Sequence, residues 1–391
     1  MTALTLDSAR LLGIPPAEPL PTLTATDLVT LVERAGLTGR GGAGFPTARK
    51  LAAVRASGRT PVVLGNAMEG EHLSHKDAEL LTVSPGLVLD GLVLVGRALG
   101  ARRLVLAVGH RIDAEPVRRA AGGRGVEVLS LAGGFVAGQE SALVDRVNGG
   151  PGRPAGPRRP VWRHGVDGEP TFVANAETLA QLALLARRGP GWFRSAGTDS
   201  EPGTMLVTVS GSSPDLLRRP VVLEVPLGTP VGDVLDRVGV GRPQVRAVLV
   251  GGYHGAWLPG SAVDTPLSRA GLAPWDAAPG AGILHVLDHR HCPLRVSADV
   301  AAYLGREVVG QCGPCVNGLP RMAQTLDLLA GPRPDAGVVA EVDRLRRLVE
   351  GRGACAHPDG TARFVASTLR VFAGHVEAHL AGDCRAHGGA R

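Results

Sequence analysis

Gly36 to Val54 reads GLTGRGGAGFPTARKLAAV, and the way its glycine run is entered decides the fold. Gly39 to Gly44, GRGGAG, has the spacing of a dinucleotide-binding fingerprint. That fingerprint requires a preceding strand. Here the preceding segment, Ala25 to Ala35, places Leu28, Leu31 and Val32 at helical spacing and reads as an amphipathic helix. An ordinary Rossmann assignment is therefore rejected. The local physics survives, because closely spaced glycines let main-chain N–H groups approach an anion. Pro46 and Thr47 then open a helix whose N-terminal dipole favours negative charge.

Working outward, helix and strand signals alternate. PVVLGN from Pro61, RRLVLAVGH, VEVLSLAGG and the start of TFVANAETLAQLALLARRG read as strands, with helices between them. That alternation implies a parallel sheet covered by helices. The strand ends deliver polar residues. Asn66, Glu69 and Glu71 follow the first, Gly138, Gln139 and Glu140 lie after the third, and Asn175 and Thr178 follow the fourth. Ligands of open α/β sheets bind at that carboxyl edge. Near Gly203 the pattern changes to TMLVTVSG, PVVLEVPLG, a short helix and VRAVLVGG, which suggests a small β-grasp (ubiquitin-like) module. From Asp288 onward the reading is helical.

The chain has 391 residues, 44% hydrophobic and 20% charged, enough for two or three domains and a large core. A net charge of +6 with only 3% aromatic residues gives little to stack on bases, so nucleic-acid binding is not expected. The most apolar stretch, from Gly86, is broken by Asp90 and Arg97, and no signal peptide is read, so membrane insertion is not expected either. Five cysteines do not suggest a secreted disulfide framework and fit a reducing cytoplasm.

Arginine supplies nearly every cation, yet Lys50 and Lys76 remain. A retained lysine suggests a need for a compact ammonium. Beside the glycine loop, Lys50 suits a phosphate; Lys76 alone reads better as chance survival on a solvated face. Cys312 and Cys315 form a Cys-x-x-Cys pair in QCGPC, with Cys355 downstream. This spacing points to a metal or cluster ahead of a redox dithiol. Zinc is the competitor, with His357 as a fourth ligand.

Together GRGGAGFPTARK, GNAMEGE, HKD, GQESAL, NAETL and EVVGQCGPCVNGLP resemble, in order, the NADH-oxidising flavoprotein subunit of complex I-type oxidoreductases. The resemblance implies an FMN-binding α/β domain (residues 1–202), a β-grasp, SLBB-type module (203–288) and a four-helix iron–sulfur domain (289–391). It implies that Gly39, Arg40, Gly41, Gly42, Ala43 and Gly44, with Lys50, hold the phosphate side of FMN. Asn66, Gly138, Gln139, Asn175 and Thr178 would line the flavin. Glu69, Glu71 and Glu140 would lie in the FMN/NADH cavity, Phe45 near the nicotinamide nucleotide, and Arg159 and Trp162 at the adenosine end.

The implied activity is hydride transfer from NADH to FMN, then single electrons to a 4Fe-4S cluster and a ferredoxin-like or other electron-transfer subunit. The location would be cytoplasmic or peripheral to a membrane complex. There are departures. Val309 stands where the family has its first cluster cysteine, leaving Cys312, Cys315 and Cys355 for a 3Fe-4S cluster, or for a 4Fe-4S cluster completed by Cys292, His357 or Cys384. Met68, Gln139, Ala174 and Ala53 replace residues on the nucleotide side. They keep open a flavin/cluster protein that no longer takes NADH, while Val309 keeps open a non-catalytic subunit.

Overall fold

The computed structural model describes residues 10–13, 18–156 and 160–384. Two compact units emerge: residues 1–208 with 222–229 and 280–282, and residues 209–221 with 230–279 and 283–391.

In the first unit the elements run α1 (Ala25–Ala35), α2 (Thr47–Arg55), β1 (Val62–Ala67), α3 (Lys76–Val83), α4 (Pro85–Leu99), β2 (Arg103–Gly109), α5 (Glu115–Ala121), β3 (Val126–Leu131), α6 (Glu140–Val147), β4 (Thr171–Asn175) and α7 (Ala176–Arg194). The four strands form a parallel sheet in the order β3-β2-β1-β4. Successive side chains of a strand point to opposite faces, and this sheet buries both. Val63, Ala67, Leu106, Val108 and Phe172 join one core with α1, α4 and α7. Val62, Leu64, Val105, Ala107 and Val173 join another with Leu143 and Val144 of α6. Each fully buried Leu or Val contributes about 1.5–3 kcal/mol. The strands read from sequence are all present, and the parallel sheet is as expected.

Chain order leaves β1 for β2 and β3 on one side, then returns to β4 on the other. The β1/β4 boundary is thus the topological switch point, where a crevice opens at the strands' carboxyl ends. Asn66 and Asn175 are register partners across it.

A second sheet contains β5 (Thr204–Gly211), β6 (Val221–Pro226), β7 (Val245–Val250), β8 (Ala256–Pro259) and β9 (Ile283–Asp288), in the order β6-β5-β9-β7-β8. Its connections include α8 (Val231–Asp236) and α9 (Arg269–Leu272). The chain continues as α10 (Pro293–Arg306), α11 (Leu319–Leu329), α12 (Gly337–Val349), α13 (His357–Val371) and α14 (Ala373–Leu380). Their buried stripes follow helical spacing, such as Leu294, Ala298, Ala301 and Leu304 on α10, or Val338, Val342, Leu345 and Val349 on α12. Trp257 on β8 is fully buried, its ring centroid 5.3 Å from that of Phe372. Among the described residues, no single helix is long and apolar enough to cross a membrane.

Candidate functional site

The glycine loop sits against the switch point. Gly42 and Gly44 have φ of 109° and 62°, which a side chain would strain. A Cβ on Gly41 would lie 3.3 Å from Asn175 Cβ, so the loop backbone crosses the end of β4 closely. Among the described residues, no acceptor meets the main-chain N–H of Gly41 or Gly42. These open donors, a few residues ahead of α2, whose start has no side-chain cap, suit a phosphate. Arg40 is buried; its N–H donates to Thr178 Oγ1 (2.9 Å) and its guanidinium to Thr38 Oγ1 and the Pro202 carbonyl. Arg40 therefore anchors the loop from behind. Lys50 reaches the same edge, donating to the Val173 carbonyl at 3.1 Å and pairing with Glu140, both partners half-buried.

Beneath that edge lies a polar network that the sequence did not disclose. Lys76 is buried, 3% exposed at its side chain, and not on a solvated face. Its ammonium lies 2.8 Å from Asp77 Oδ1, 3.0 Å from Glu177 Oε2 and 2.9 Å from Asn175 Oδ1. Asn175 Nδ2 donates to Asp77 Oδ2 (2.8 Å) and to the Asn66 carbonyl (3.2 Å). Burial alone would push the Lys76 ammonium down, but the Asp77 and Glu177 carboxylates more than offset it and hold it above its usual value. Burial pushes Glu177 up, against the pull of Lys76 and Arg40. Lys76 thus fixes the rotamer of Asn175, a residue expected at the flavin. Its only sequence signal is that it is one of two lysines and the middle residue of the HKD motif.

The remaining expected residues divide by task. Asn66 Nδ2 donates to the Gly138 carbonyl and Asn66 Oδ1 accepts from Met68 N–H, tying the end of β1 to the loop before α6. Gln139 caps α6, its Oε1 accepting from Ala142 N–H at 2.9 Å. Glu69, at φ 44°, caps α3: its carboxylate accepts from Ser74 Oγ and the N–H groups of Asp77 and Ala78. Burial, then the Asp77 charge, pushes the Glu69 carboxyl up. Glu71 is half-buried, and its carbonyl accepts from Arg111. Phe45 is 46% exposed, with the Arg49 guanidinium 5.6 Å from its ring centroid. Trp162 packs partly on the first unit's core, with Arg163 stacked at 4.6 Å. Arg159 lies outside the described residues.

The cysteines fall into two groups. Cys315 is buried in a π-helical turn, Pro314–Gly318, with Cys312 just ahead of it. Such turns often mark functional sites. Cys355 lies two residues before α13, next to its N-cap Ala356. Burial pushes its thiol up, the His357 main-chain N–H opposes this, and the charges of Cys315 and Cys312 raise it further. These three thiols are electrostatic neighbours, which fits a shared iron–sulfur group. Cys292 has a different neighbour, Cys384, at 3.9 Å.

His357 corrects the sequence reading. Its Nε2 meets the Leu304 carbonyl at 3.0 Å and its Nδ1 meets His254 Nε2 at 2.9 Å, so both ring nitrogens are engaged away from a metal. Cys292 and Cys384 face each other and His379, rather than completing the set formed by Cys312, Cys315 and Cys355.

Residues 32–184 match the Nuo51 FMN-binding domain, and residues 295–379 the NADH-ubiquinone oxidoreductase-F iron–sulfur binding region. The F subunit of NADH-quinone oxidoreductase from Streptomyces coelicolor is 30% identical over 392 residues, covering 91% of this chain and 83% of the relative. The chain belongs to the family of NADH-quinone oxidoreductase F subunits. It is also similar to the HndC subunit of the NADP-reducing hydrogenase of Solidesulfovibrio fructosivorans, at 30% identity over 94% of this chain and 79% of that one. A crystal structure of an NAD+-reducing [NiFe]-hydrogenase in the H2-reduced state matches with a TM-score of 0.81 and 31% identity over 91% of this chain. This chain spans 63% of that hydrogenase chain. Membership in this family bears out the resemblance read from the motifs: an FMN-binding domain is joined to an iron–sulfur region in an NADH-dehydrogenase-type oxidoreductase.

Proposed function

We propose that this chain oxidises NADH at the β1/β4 switch point and delivers the electrons through an iron–sulfur cluster to a partner electron-transfer subunit. The carrying observation is the Asn66–Asn175 register pair with Gly41 packed on Asn175. It makes a shallow glycine-floored cradle whose side chains are already oriented. When bound, FMN supplies the two-electron to one-electron conversion, and the protein supplies orientation and electrostatics.

The N–H groups of Gly41 and Gly42, the start of α2 and Lys50 would hold the phosphate. Asn66, Gly138, Gln139, Asn175 and Thr178 would shape the flavin side, with Arg40 holding the loop behind them. Glu71 and Glu140 would position the dinucleotide. Glu69 acts through α3 as a positioning residue. Phe45 offers an exposed ring to the nicotinamide end, and Trp162 and Arg159 serve the adenosine end. Cys312, Cys315 and Cys355 would ligate the cluster, either as 3Fe-4S or as 4Fe-4S with a fourth ligand outside the cysteine set. The strand order β6-β5-β9-β7-β8 supports the β-grasp reading of residues 203–288, between an FMN domain (1–202) and a helical cluster domain (289–391).

The test is an anaerobic spectrum of the full chain reconstituted with FMN, iron and sulfide, titrated with NADH. Flavin bands that bleach beside cluster absorption are expected. Flavin that stays oxidised selects the reading in which the chain no longer takes NADH, which Gln139, committed to capping α6, and the buried Met68 favour. A folded chain that takes up neither group refutes both.

A further inference from the structure

We propose that Cys292, His379 and Cys384 form a second metal site, separate from Cys312, Cys315 and Cys355, that takes one zinc ion. The inference is independent of the flavin reading. Cys292 is the N-cap residue of α10, His379 lies in the last turn of α14, and Cys384 follows that helix by four residues. Their ligand atoms all lie within 4.8 Å of one another. Cys292 Sγ is 3.2 Å from His379 Nε2 and 3.9 Å from Cys384 Sγ.

These separations are those of a tetrahedral zinc site. Bonds of about 2.3 Å to sulfur and about 2.0 Å to nitrogen put two sulfurs ~3.8 Å apart, and a sulfur and a nitrogen ~3.5 Å apart. A disulfide would need the sulfurs at about 2.05 Å. The histidine is also oriented as a ligand. Its Nδ1 meets the Gly331 carbonyl at 3.2 Å. A carbonyl only accepts, so Nδ1 carries the proton and the Nε2 lone pair faces the sulfurs. Burial, with Cys384 adding to it, pushes the Cys292 thiol up, against the main-chain N–H groups of Arg295 and Leu294.

Binding balances simply: two thiols lose two protons, and the two thiolates cancel the charge of Zn2+ beside a neutral imidazole. His379 is 1% and Cys292 7% exposed, while Cys384 is half-buried, leaving the fourth position on the Cys384 side for water. A thiophilic d10 ion suits this Cys2His set. The site would fasten the segment after α14 to the start of α10.

The test compares metal content of the full-length chain with that of Cys384→Ser and Cys292→Ser, purified anaerobically. One zinc per chain is expected in the parent, falling at least tenfold in either variant while iron content stays unchanged. Cobalt(II) added to the chelated parent should give sulfur-to-cobalt charge-transfer bands that the variants lack. Cys384→Ser alters a half-buried residue and keeps the test valid if Cys292→Ser misfolds. Zinc retained by Cys384→Ser, iron lost together with zinc, or alkylation and mass analysis showing a Cys292–Cys384 disulfide in the parent would each overturn the site.

Discussion

The sheet edge and the helical region solve opposite problems. At the edge, Lys76, Asp77, Asn175 and Glu177 satisfy one another, so the cradle is shaped by the protein's own hydrogen bonds. In the helical region burial, with neighbouring cysteines adding to it, pushes the Cys292 and Cys355 thiols up. The first arrangement is pre-organised and binds a ligand without first ordering itself. The second, on the proposed reading, would be completed by metal, whose binding free energy would then be part of folding. On that reading the proposed flavin site depends on protein packing and the proposed cluster site on metal chemistry.

The largest effect that would break this contrast is at Lys76. Lys76→Met keeps the length but leaves Asp77 and Glu177 buried without their cation. A loss of about 3–5 kcal/mol in unfolding free energy is expected, read from urea melts of the chain without FMN. A melt unchanged from the parent would mean that the network is not what orders the cradle. Next comes Lys50→Ala. Its ammonium is part-exposed and its protein bonds are replaceable by water, so stability should barely move. FMN affinity should fall by roughly 10–100-fold, the range of a lost charge-assisted hydrogen bond, as measured by flavin fluorescence titration.

That these two lysines differ so much was half legible. Lys50 follows a glycine loop in sequence, and local spacing sufficed to place it near an anion site. Lys76 needed Asn175 and Glu177, whose proximity depends on β4 returning beside β1. No local pattern announces that return. β1, β2 and β4 were legible because they are largely buried on both faces and read as apolar runs such as VVL or LVLAV, while β3, at the sheet edge, alternates apolar residues with exposed Glu127 and Ser130. The start of α3 was not, because HLSHKD looks like a solvated turn, and the carboxylate capping it, Glu69, looks like a ligand group. For the same reason His357 read as a metal ligand. Its partners, the Leu304 carbonyl and His254, are far away in sequence. The pairing of Cys292 with Cys384, 92 positions apart, was equally hidden.

A middle-sized effect tests whether the second unit holds its histidines neutral. Burial, then the neighbouring His357 and Arg363, keeps His254 well below the ordinary 6.5, and burial lowers His357. A histidine with a depressed folded pKa contributes stability that is fully present above its unfolded value. That stability is lost as pH falls from there toward the folded value. Unfolding free energy should therefore decline below about pH 6.5, by at most about 1.4 kcal/mol per pH unit for each histidine. Urea midpoints at about pH 7 and about pH 5.5 measure it. His254→Asn should flatten the slope; an equally steep slope in that variant would place the acid sensitivity elsewhere.

The smallest effect on stability, and the most informative for the cluster, is Val309→Cys. Val309 is half-buried on the segment leading to Cys312, and exchanging it for a residue of similar size should change unfolding free energy by under about 1 kcal/mol. Metal chemistry should respond more. With a fourth thiolate beside Cys312, Cys315 and Cys355, iron in the reconstituted chain should approach four per cluster, and the reduced protein's electron paramagnetic resonance spectrum should become that of a four-cysteine cluster. If the parent already holds four irons with the same spectrum, a group other than a cysteine at 309 completes the site, and the valine is no loss. If neither protein holds iron, the thiol trio is not a cluster site, and metal completion of the helical region rests on Cys292, His379 and Cys384 alone.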